Sequence, residues 1–380
     1  MNLIKESLDL AVSRVYSALP RFTYRGQNHS SVNNIYPDCD NVQWTNGFWP
    51  GQIWLSYIHT QNPIFKYAGL IQAEQMLARI EKKIGVDHHD MGFLYTPSCV
   101  AAWQITGNER AKRAAILAAD QMLTRFQEKG GFFQAWGEMG AKDNYRFIID
   151  CLLNLPLLYW ASAETGNQEY AEKATIHAET CLTYSIRDDG STYHTFFMDP
   201  ATGGPVKGIT CQGYKDDSSW TRGQAWAVYG AALTYRYIRN ETWRDVFYRL
   251  LDYFMNHLPE DLVPYWDLIF ISGDEPRDSS SAAIVACGLL EMADRLGQLD
   301  LDSKEADKLV QKANMLMETL ATNYAAKGDT DGLLLHGTYS KKTPYNTCTE
   351  EGVDECLTWG DYFYLEGLLR LHRPDWKPYW

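Results

Sequence analysis

Two aspartates separated by 60 positions (150 − 90) stand in settings that suit acid–base chemistry. Asp90 closes the run Asp87-His88-His89-Asp90, after which the chain turns apolar as MGFLY. Asp150 sits in FIIDCLLNLP, among almost exclusively apolar neighbours. A carboxyl group in such surroundings resists ionisation, and a raised pKa is what a general acid near neutral pH requires. For the DHHD run, three chemistries compete: a metal site, a helix cap, or the lining of an acid–base centre. His88-x-Asp90 imitates part of a facial triad for iron, but that motif needs a second converging histidine, and adjacent His88 and His89 point in different directions. No metal and no cofactor is expected. Ser218 and Ser219 in DDSSWTRG lack the elbow of a nucleophilic serine, and Gly203-Gly204 in DPATGGPVKG reads as a turn.

These residues need elements to hold them, and the hydrophobic pattern supplies two kinds of helix. Six segments are one-sided: for example, Phe247, Leu250, Leu251, Phe254 and Leu258 fall on one face, as do Ala306, Leu309, Val310, Ala313, Leu316, Met317 and Leu320. Between them lie six segments that are apolar nearly all round: GFWPGQIWLSYI, FLYTPSCVAAWQI, CLLNLPLLYWASA, GQAWAVYGAALTYRY, SAAIVACGLLEMADRL and GDYFYLEGLLRL. Helices without a polar face are buried on all sides. The alternation predicts an inner ring of six helices sheathed by an outer six, an all-α barrel in one domain spanning 1–380, with no β-rich region.

The connections are lopsided. Turns from a buried helix to the next amphipathic one are short and carry Gly or Asn, as in TGNER, ETGNQE and IRNETW. Those running the other way are often long, as over 127–149, 183–221, 259–279 and 321–359. In an up-and-down ring all connections of one kind emerge at one end, so the long loops crowd one mouth, at the N-termini of the inner helices. Asp90, Asp150, Arg222, Trp44 and Trp49 all fall there. So do Asp278, Ser280 and Asp361, which are expected to cap helices.

Composition narrows the partners. Lys and Arg number 35 against 48 Asp and Glu, a formal charge of −13, which argues against nucleic acid. No apolar run approaches the roughly 20 residues of a membrane span, and the opening MNLIKESLDLAVSRVY lacks a signal-peptide core. Eight cysteines show no CxxC or paired spacing, so free thiols in the cytoplasm are expected.

Read together, NVQWTNGFWPG, VDHHDMGFLY, GGFFQAWGE, STYHTFFMDPATG, CQGYKDDSSWTRGQAWAVYG, RDSSSAAIVACGLLE and WGDYFYLEGLLRL resemble the unsaturated glucuronyl hydrolases of glycoside hydrolase family 88. The resemblance spans about Trp44 to Leu371. It implies an (α/α)6 barrel of the six-hairpin glycosidase type, acting on the oligosaccharides that polysaccharide lyases leave, whose terminal sugar is a 4,5-unsaturated glucuronic acid. It puts the functional aspartates at Asp90 and Asp150, with Asp150 the acid/base, and substrate-binding residues at Trp44, His89, Trp136, His194, Gln212, Arg222 and Trp226. In some members a Ser/Ser/Lys cluster before the last helix favours sulfated fragments. Here HGTYSKKTPYN keeps Ser340 and has Thr343 and Tyr345 at the other two places. The expected partner is the unsaturated oligosaccharide, handled by a monomer or weak homodimer. The rival readings are an unsaturated rhamnogalacturonyl hydrolase on the same barrel and a non-catalytic glycan-binding protein.

Overall fold

A helix that is apolar all round has nowhere to go but the interior, and the six such segments close on one another. In the computed structural model, which describes residues 2–299 and 303–380, the helices are α1 (Asn2–Phe22), α2 (Phe48–Thr60), α3 (Pro63–Glu81), α4 (Met91–Tyr95), α5 (Ala101–Thr106), α6 (Glu109–Leu123), α7 (Cys151–Asn154), α8 (Pro156–Thr165), α9 (Glu169–Ser185), α10 (Thr221–Ile238), α11 (Glu241–Asn256), α12 (Ser279–Gln298), α13 (Ser303–Thr319) and α14 (Thr358–His372). The inner ring runs from α2 to the rod α4–α5, then to α7–α8, α10, α12 and α14, which returns to α2. Outside it lie α1, α3, α6, α9, α11 and α13, as the alternation predicts.

The outer helices bury one stripe each. In α11 that stripe is Trp243, Val246, Phe247, Leu250, Leu251 and Phe254, the 3-and-4 spacing of a helix face, with about 1.5–3 kcal/mol for each large side chain taken from water. Two inner rods are interrupted by proline. Pro97 has no N–H to give, and the chain from Thr96 to Val100 widens into a π-turn between α4 and α5. Pro156 likewise separates the single turn of α7 from α8.

At the end with short turns, one device recurs. Gly107 (φ 68°) and Arg239 (φ 55°) end α5 and α10 in the left-handed region. The next residue, Asn108 or Asn240, then caps the following helix through its side-chain oxygen. A cluster of charged residues buried in the inner ring lies towards this end and satisfies itself: Arg370 donates to Glu291 at 3.1 Å, and the Tyr229 hydroxyl donates to Glu366 at 2.7 Å.

The opposite end carries all the long loops, and these are not bare. Arg146–Ile148, Thr195–Met198 and Pro205–Ile209 form a three-stranded antiparallel sheet, and Gly337–Ser340 pairs with Glu351–Glu355. The sequence pattern gave no sign of this small sheet structure, because strands of three to five residues are too short to show a period of two. It matters to the site, since Asp150, His194, Gln212 and Tyr339 all lie on or within three residues of these strands.

Candidate active site

The mouth loops and the N-termini of the inner helices enclose a cavity of about 420 Å³. Nine residues singled out in the sequence line it: Trp44, His89, Asp90, Trp136, Asp150, His194, Gln212, Arg222 and Trp226. Ser340 does not. Its hydroxyl donates to the Thr349 carbonyl at 2.7 Å, within the ribbon that carries it. Thr343 donates to the Tyr214 carbonyl, and Tyr345 is exposed.

Asp90 and Asp150 precede α4 and α7 and meet because those helices cross closely. A Cβ on Gly92 would lie 2.3 Å from the Asn154 Cα, so only glycine allows this approach. Asn154 then ties the two helix starts together: its side-chain oxygen accepts from the Phe93 N–H at 2.8 Å, and its amide reaches the Asp150 carbonyl at 3.4 Å. His89 lies between the carboxylates, with Nε2 3.4 Å from Asp90 Oδ1 and 3.6 Å from Asp150 Oδ1. Neither aspartate caps its own helix through its side chain.

The two carboxyl groups are driven apart electrostatically. Burial raises Asp150 well above the usual carboxylate range, and the charge of Asp90 raises it further against the pull of Arg222. Burial also pushes at Asp90, but His89, the His88 hydrogen bond and the Asn154 amide outweigh it and hold Asp90 below its ordinary value. Desolvation lowers His89 despite the adjacent Asp90. These surroundings push Asp150 towards its protonated form and Asp90 towards its ionised form, and burial disfavours charge on His89. Asp150 Oδ1 is buried without a hydrogen-bond partner, so this oxygen is not engaged elsewhere in the protein.

The walls are fixed by bonds among themselves. His194 Nδ1 accepts from the N–H groups of Cys211 and Gln212 at 2.9 and 3.2 Å. Burial and the charges of Arg222 and Arg146 push its pKa down to about 3, so the neutral ring carries its hydrogen on Nε2. Arg222 is buried, with Nη1 donating to Asp278 and the Thr338 carbonyl and Nη2 to the Tyr339 carbonyl. A guanidinium has five N–H groups, so part of its donor capacity is left over. Gln212 also donates to the Tyr339 carbonyl, at 3.0 Å. Trp44 stacks on Trp359 and packs on Phe93, and Trp226 packs on Phe93 and Phe363. Trp136 is the most exposed of the three tryptophans singled out, and Arg146 lies over its ring.

Two expected caps are something else. Asp278 stands at the N-cap position of α12, yet its carboxylate receives the hydroxyls of Ser280 and Ser281 and the Arg222 guanidinium, not a backbone N–H of its helix. Asp361 lies inside α14, where it accepts from the Leu334 N–H and the Tyr36 hydroxyl. Ser280 accepts from the Trp359 indole. In each case a charged or polar partner from another element engages the side chain: α10 for Asp278, α14 for Ser280, and the loops carrying Leu334 and Tyr36 for Asp361. Sequence reasoning missed Trp220, Tyr339 and His29 as cavity lining; each sits in loop sequence with no periodicity to mark it.

Among the described residues, His89, Asp90 and Asp150 form the one group of three ligating side chains, with ligand atoms within 4.8 Å of one another. A cation there would displace the proton from Asp150 and compete for the same oxygens. No described helix is long and apolar enough to cross a membrane.

Comparison with known proteins decides the family. The model of Glycosyl Hydrolase Family 88 matches residues 21–346. This chain belongs to glycosyl hydrolase family 88. Among family members, the unsaturated chondroitin disaccharide hydrolase of Streptococcus pneumoniae (strain ATCC BAA-255 / R6) is 45% identical over 99% of this chain and 93% of its own length. The crystal structure of an unsaturated glucuronyl hydrolase from Streptococcus agalactiae superposes with a TM-score of 0.94 at 42% identity, covering 100% of this chain and 94% of that one. An aspartate-to-asparagine variant from that organism, solved with dGlcA-GalNAc6S, superposes at 0.86 and 38% identity over 99% and 93%. The family is one of glycoside hydrolases, and the all-α barrel of this chain is shared with its solved members.

Proposed function

We propose that this chain hydrates the C4=C5 double bond of a terminal 4,5-unsaturated glucuronic acid on glycosaminoglycan fragments left by polysaccharide lyases, releasing that residue. One observation carries the mechanism: a buried Asp150, pushed towards its protonated form and with Oδ1 unpartnered, faces across His89 an Asp90 that is held towards its ionised form. The substrate bond is an enol ether, because C5 bears the ring oxygen. Asp150 delivers its proton to C4, leaving positive charge shared between C5 and the ring oxygen. Water attacks C5, and the now ionised Asp150 takes a proton from it, restoring the acid. The hemiketal at C5 opens to a ketone, C1 becomes a hemiacetal, and its collapse expels the partner sugar. Acid–base catalysis of this kind contributes typically ~10²–10⁴-fold.

The other residues suit binding. Trp44, Trp136 and Trp226 present aromatic surface to a sugar ring. The His194 Nε2–H and the spare N–H groups of Arg222 are donors for hydroxyls and for the uronate carboxylate, and His89 lines the site beside the aspartates. Asp90 combines two tasks, raising the pKa of Asp150 and accepting from sugar hydroxyls. Ser340 has its hydroxyl hydrogen engaged by the Thr349 carbonyl and lies outside the cavity lining, so it offers the partner sugar no free donor in this arrangement.

The conjugated double bond absorbs in the ultraviolet and the hydrated product does not. Loss of absorbance from unsaturated chondroitin, hyaluronan or heparin disaccharides is the expected result. No loss with any of them, in folded protein, would shift the reading to a rhamnogalacturonyl substrate or to binding without turnover. The eight cysteines are unpaired thiols, which supports a cytoplasmic place for the enzyme. We read the chain as one domain acting as a monomer or weak homodimer, a matter for sedimentation velocity.

A further inference from the structure

Three polar atoms remain unexplained behind the aspartate pair. Both ring nitrogens of His89 and Nε2 of His177 are buried without a hydrogen-bond partner, a rare condition that calls for a reason. His177 is fully buried on α9, an outer helix that contributes nothing to the cavity lining.

The two histidines are tied to one strand-like segment. His177 Nδ1 accepts from the Phe133 N–H at 3.3 Å, and the His89 N–H donates to the Ala135 carbonyl at 2.9 Å. The ring of His177 is held edge-on by Phe133 and Phe147. One turn along the same face of α9, Cys181 lies close enough to Asp150 to influence its ionisation. This face therefore backs directly on the site. His89 and His177 are near enough for charge on one to oppose charge on the other.

Tautomer logic then pairs the orphan atoms. Because Nδ1 of His177 accepts a backbone N–H, the neutral ring carries its hydrogen on Nε2, which is a donor without an acceptor. In His89, Nε2 faces both carboxyl groups, so its hydrogen belongs there, which leaves Nδ1 an acceptor without a donor.

We propose that His177 is a positioning residue whose Nε2–H reaches Nδ1 of His89 through one internal water, and so fixes His89 as the tautomer that presents Nε2–H to Asp90 and Asp150. A buried water with polar partners on two sides is an ordinary constituent of a protein interior. The tautomer of a histidine is set by the hydrogen bond its other nitrogen makes. With the hydrogen on Nδ1 instead, a lone pair would face Asp90 and the proton arrangement of the pair would be lost. This inference rests on the proposed role of the aspartates, but it can be read without any substrate.

The test is nitrogen NMR of histidine-labelled protein, with His89 assigned by substitution, alongside kinetics of His177→Phe and His177→Gln. Phenylalanine keeps the aromatic packing and removes both hydrogen bonds. Glutamine restores an acceptor for the Phe133 N–H and a donor beyond it. The expected result is an unprotonated Nδ1 and protonated Nε2 at His89 in the native enzyme, mixed tautomers in His177→Phe, and kcat reduced about tenfold, the scale of one hydrogen bond, with KM little changed. His177→Gln should recover both the spectrum and most of kcat. A native His89 carrying its hydrogen on Nδ1 would overturn the proposal whether or not the variants fold. So would an unaltered His89 spectrum in a folded His177→Phe. Absence of turnover on every unsaturated disaccharide would remove the aspartate reading while leaving the spectroscopic result standing.

Discussion

Asp150 and Asp90 are chemically the same group, and only their surroundings give them different work. Asp150→Asn should lower turnover by at least the ~10²–10⁴-fold of lost acid–base catalysis, while leaving thermal unfolding unchanged; near-normal turnover would take Asp150 out of the acid/base role. Asp90→Asn tests the electrostatics separately. Asp150 must be protonated to act, so kcat/KM falls as pH rises through its raised pKa. Removing the charge of Asp90, which helps raise that pKa, should move this alkaline limb to lower pH. A limb that stays put would show that Asp90 acts on the sugar alone. The proximity of His89 to both carboxyl groups makes a chelator experiment worthwhile: activity should be unaffected by EDTA, and a loss reversed by added metal would contradict a proton held on Asp150. At this scale the sequence was a good guide where context is local. The apolar run around Asp150 announces its raised pKa and the two histidines beside Asp90 announce its lowered one, whereas the smaller contribution of Asn154, 64 positions away (154 − 90), has no local sign.

Helices and loops were legible to different degrees. The apolar stripe of α11 and the unbroken apolar run of α12 state their places in the ring outright, because burial acts on every residue of a helix and leaves a periodic trace. The ribbons at the mouth left none, and the expected caps Asp278 and Asp361 turned out to hold other elements instead. Asp361 joins α14 to the loop before it and to Tyr36, and burial, offset by the N–H groups of Leu334 and Leu333, lifts its pKa to about 7. The sign of its effect on stability follows. A carboxyl whose folded pKa exceeds its unfolded one binds protons more tightly when folded. Its contribution is therefore fully present below about pH 4 and is lost as pH rises towards 7. Melting temperatures of the native protein and Asp361→Asn, measured from pH 4 to 8, should differ most at the acid end and converge as pH rises. A difference that widened with pH would mean that the ionised form is the one holding the loop.

Over the whole molecule, the mouth is connected to the opposite end of the barrel by a continuous column of rings. Trp44 and Trp226 rest on Phe93, and Phe93 in turn meets the edge of Trp380 at 6.4 Å. Trp380 is almost fully buried, stacks on Phe363 at 5.8 Å, donates to Glu366 at 2.8 Å, and its carbonyl accepts from Arg236. It thus closes the end of the barrel where the short turns lie, and it also completes the buried charge cluster there. The two ends have different supports, however. The aspartate pair is held by the crossing of α4 and α7 at Gly92 and Asn154, and Trp380 touches neither aspartate. Trp380→Ala should cost about 3–5 kcal/mol, the range for emptying a large aromatic site in a core, with a further cost from leaving Glu366 without its indole partner. Chemical denaturation would read that loss directly. Below the melting range, the folded variant should keep the native pH profile of kcat/KM, because the groups that set it are anchored at the other end. A profile displaced along the pH axis would instead mean that the ring column transmits strain from the closed end to the carboxyl groups, and that the barrel works as one mechanical unit.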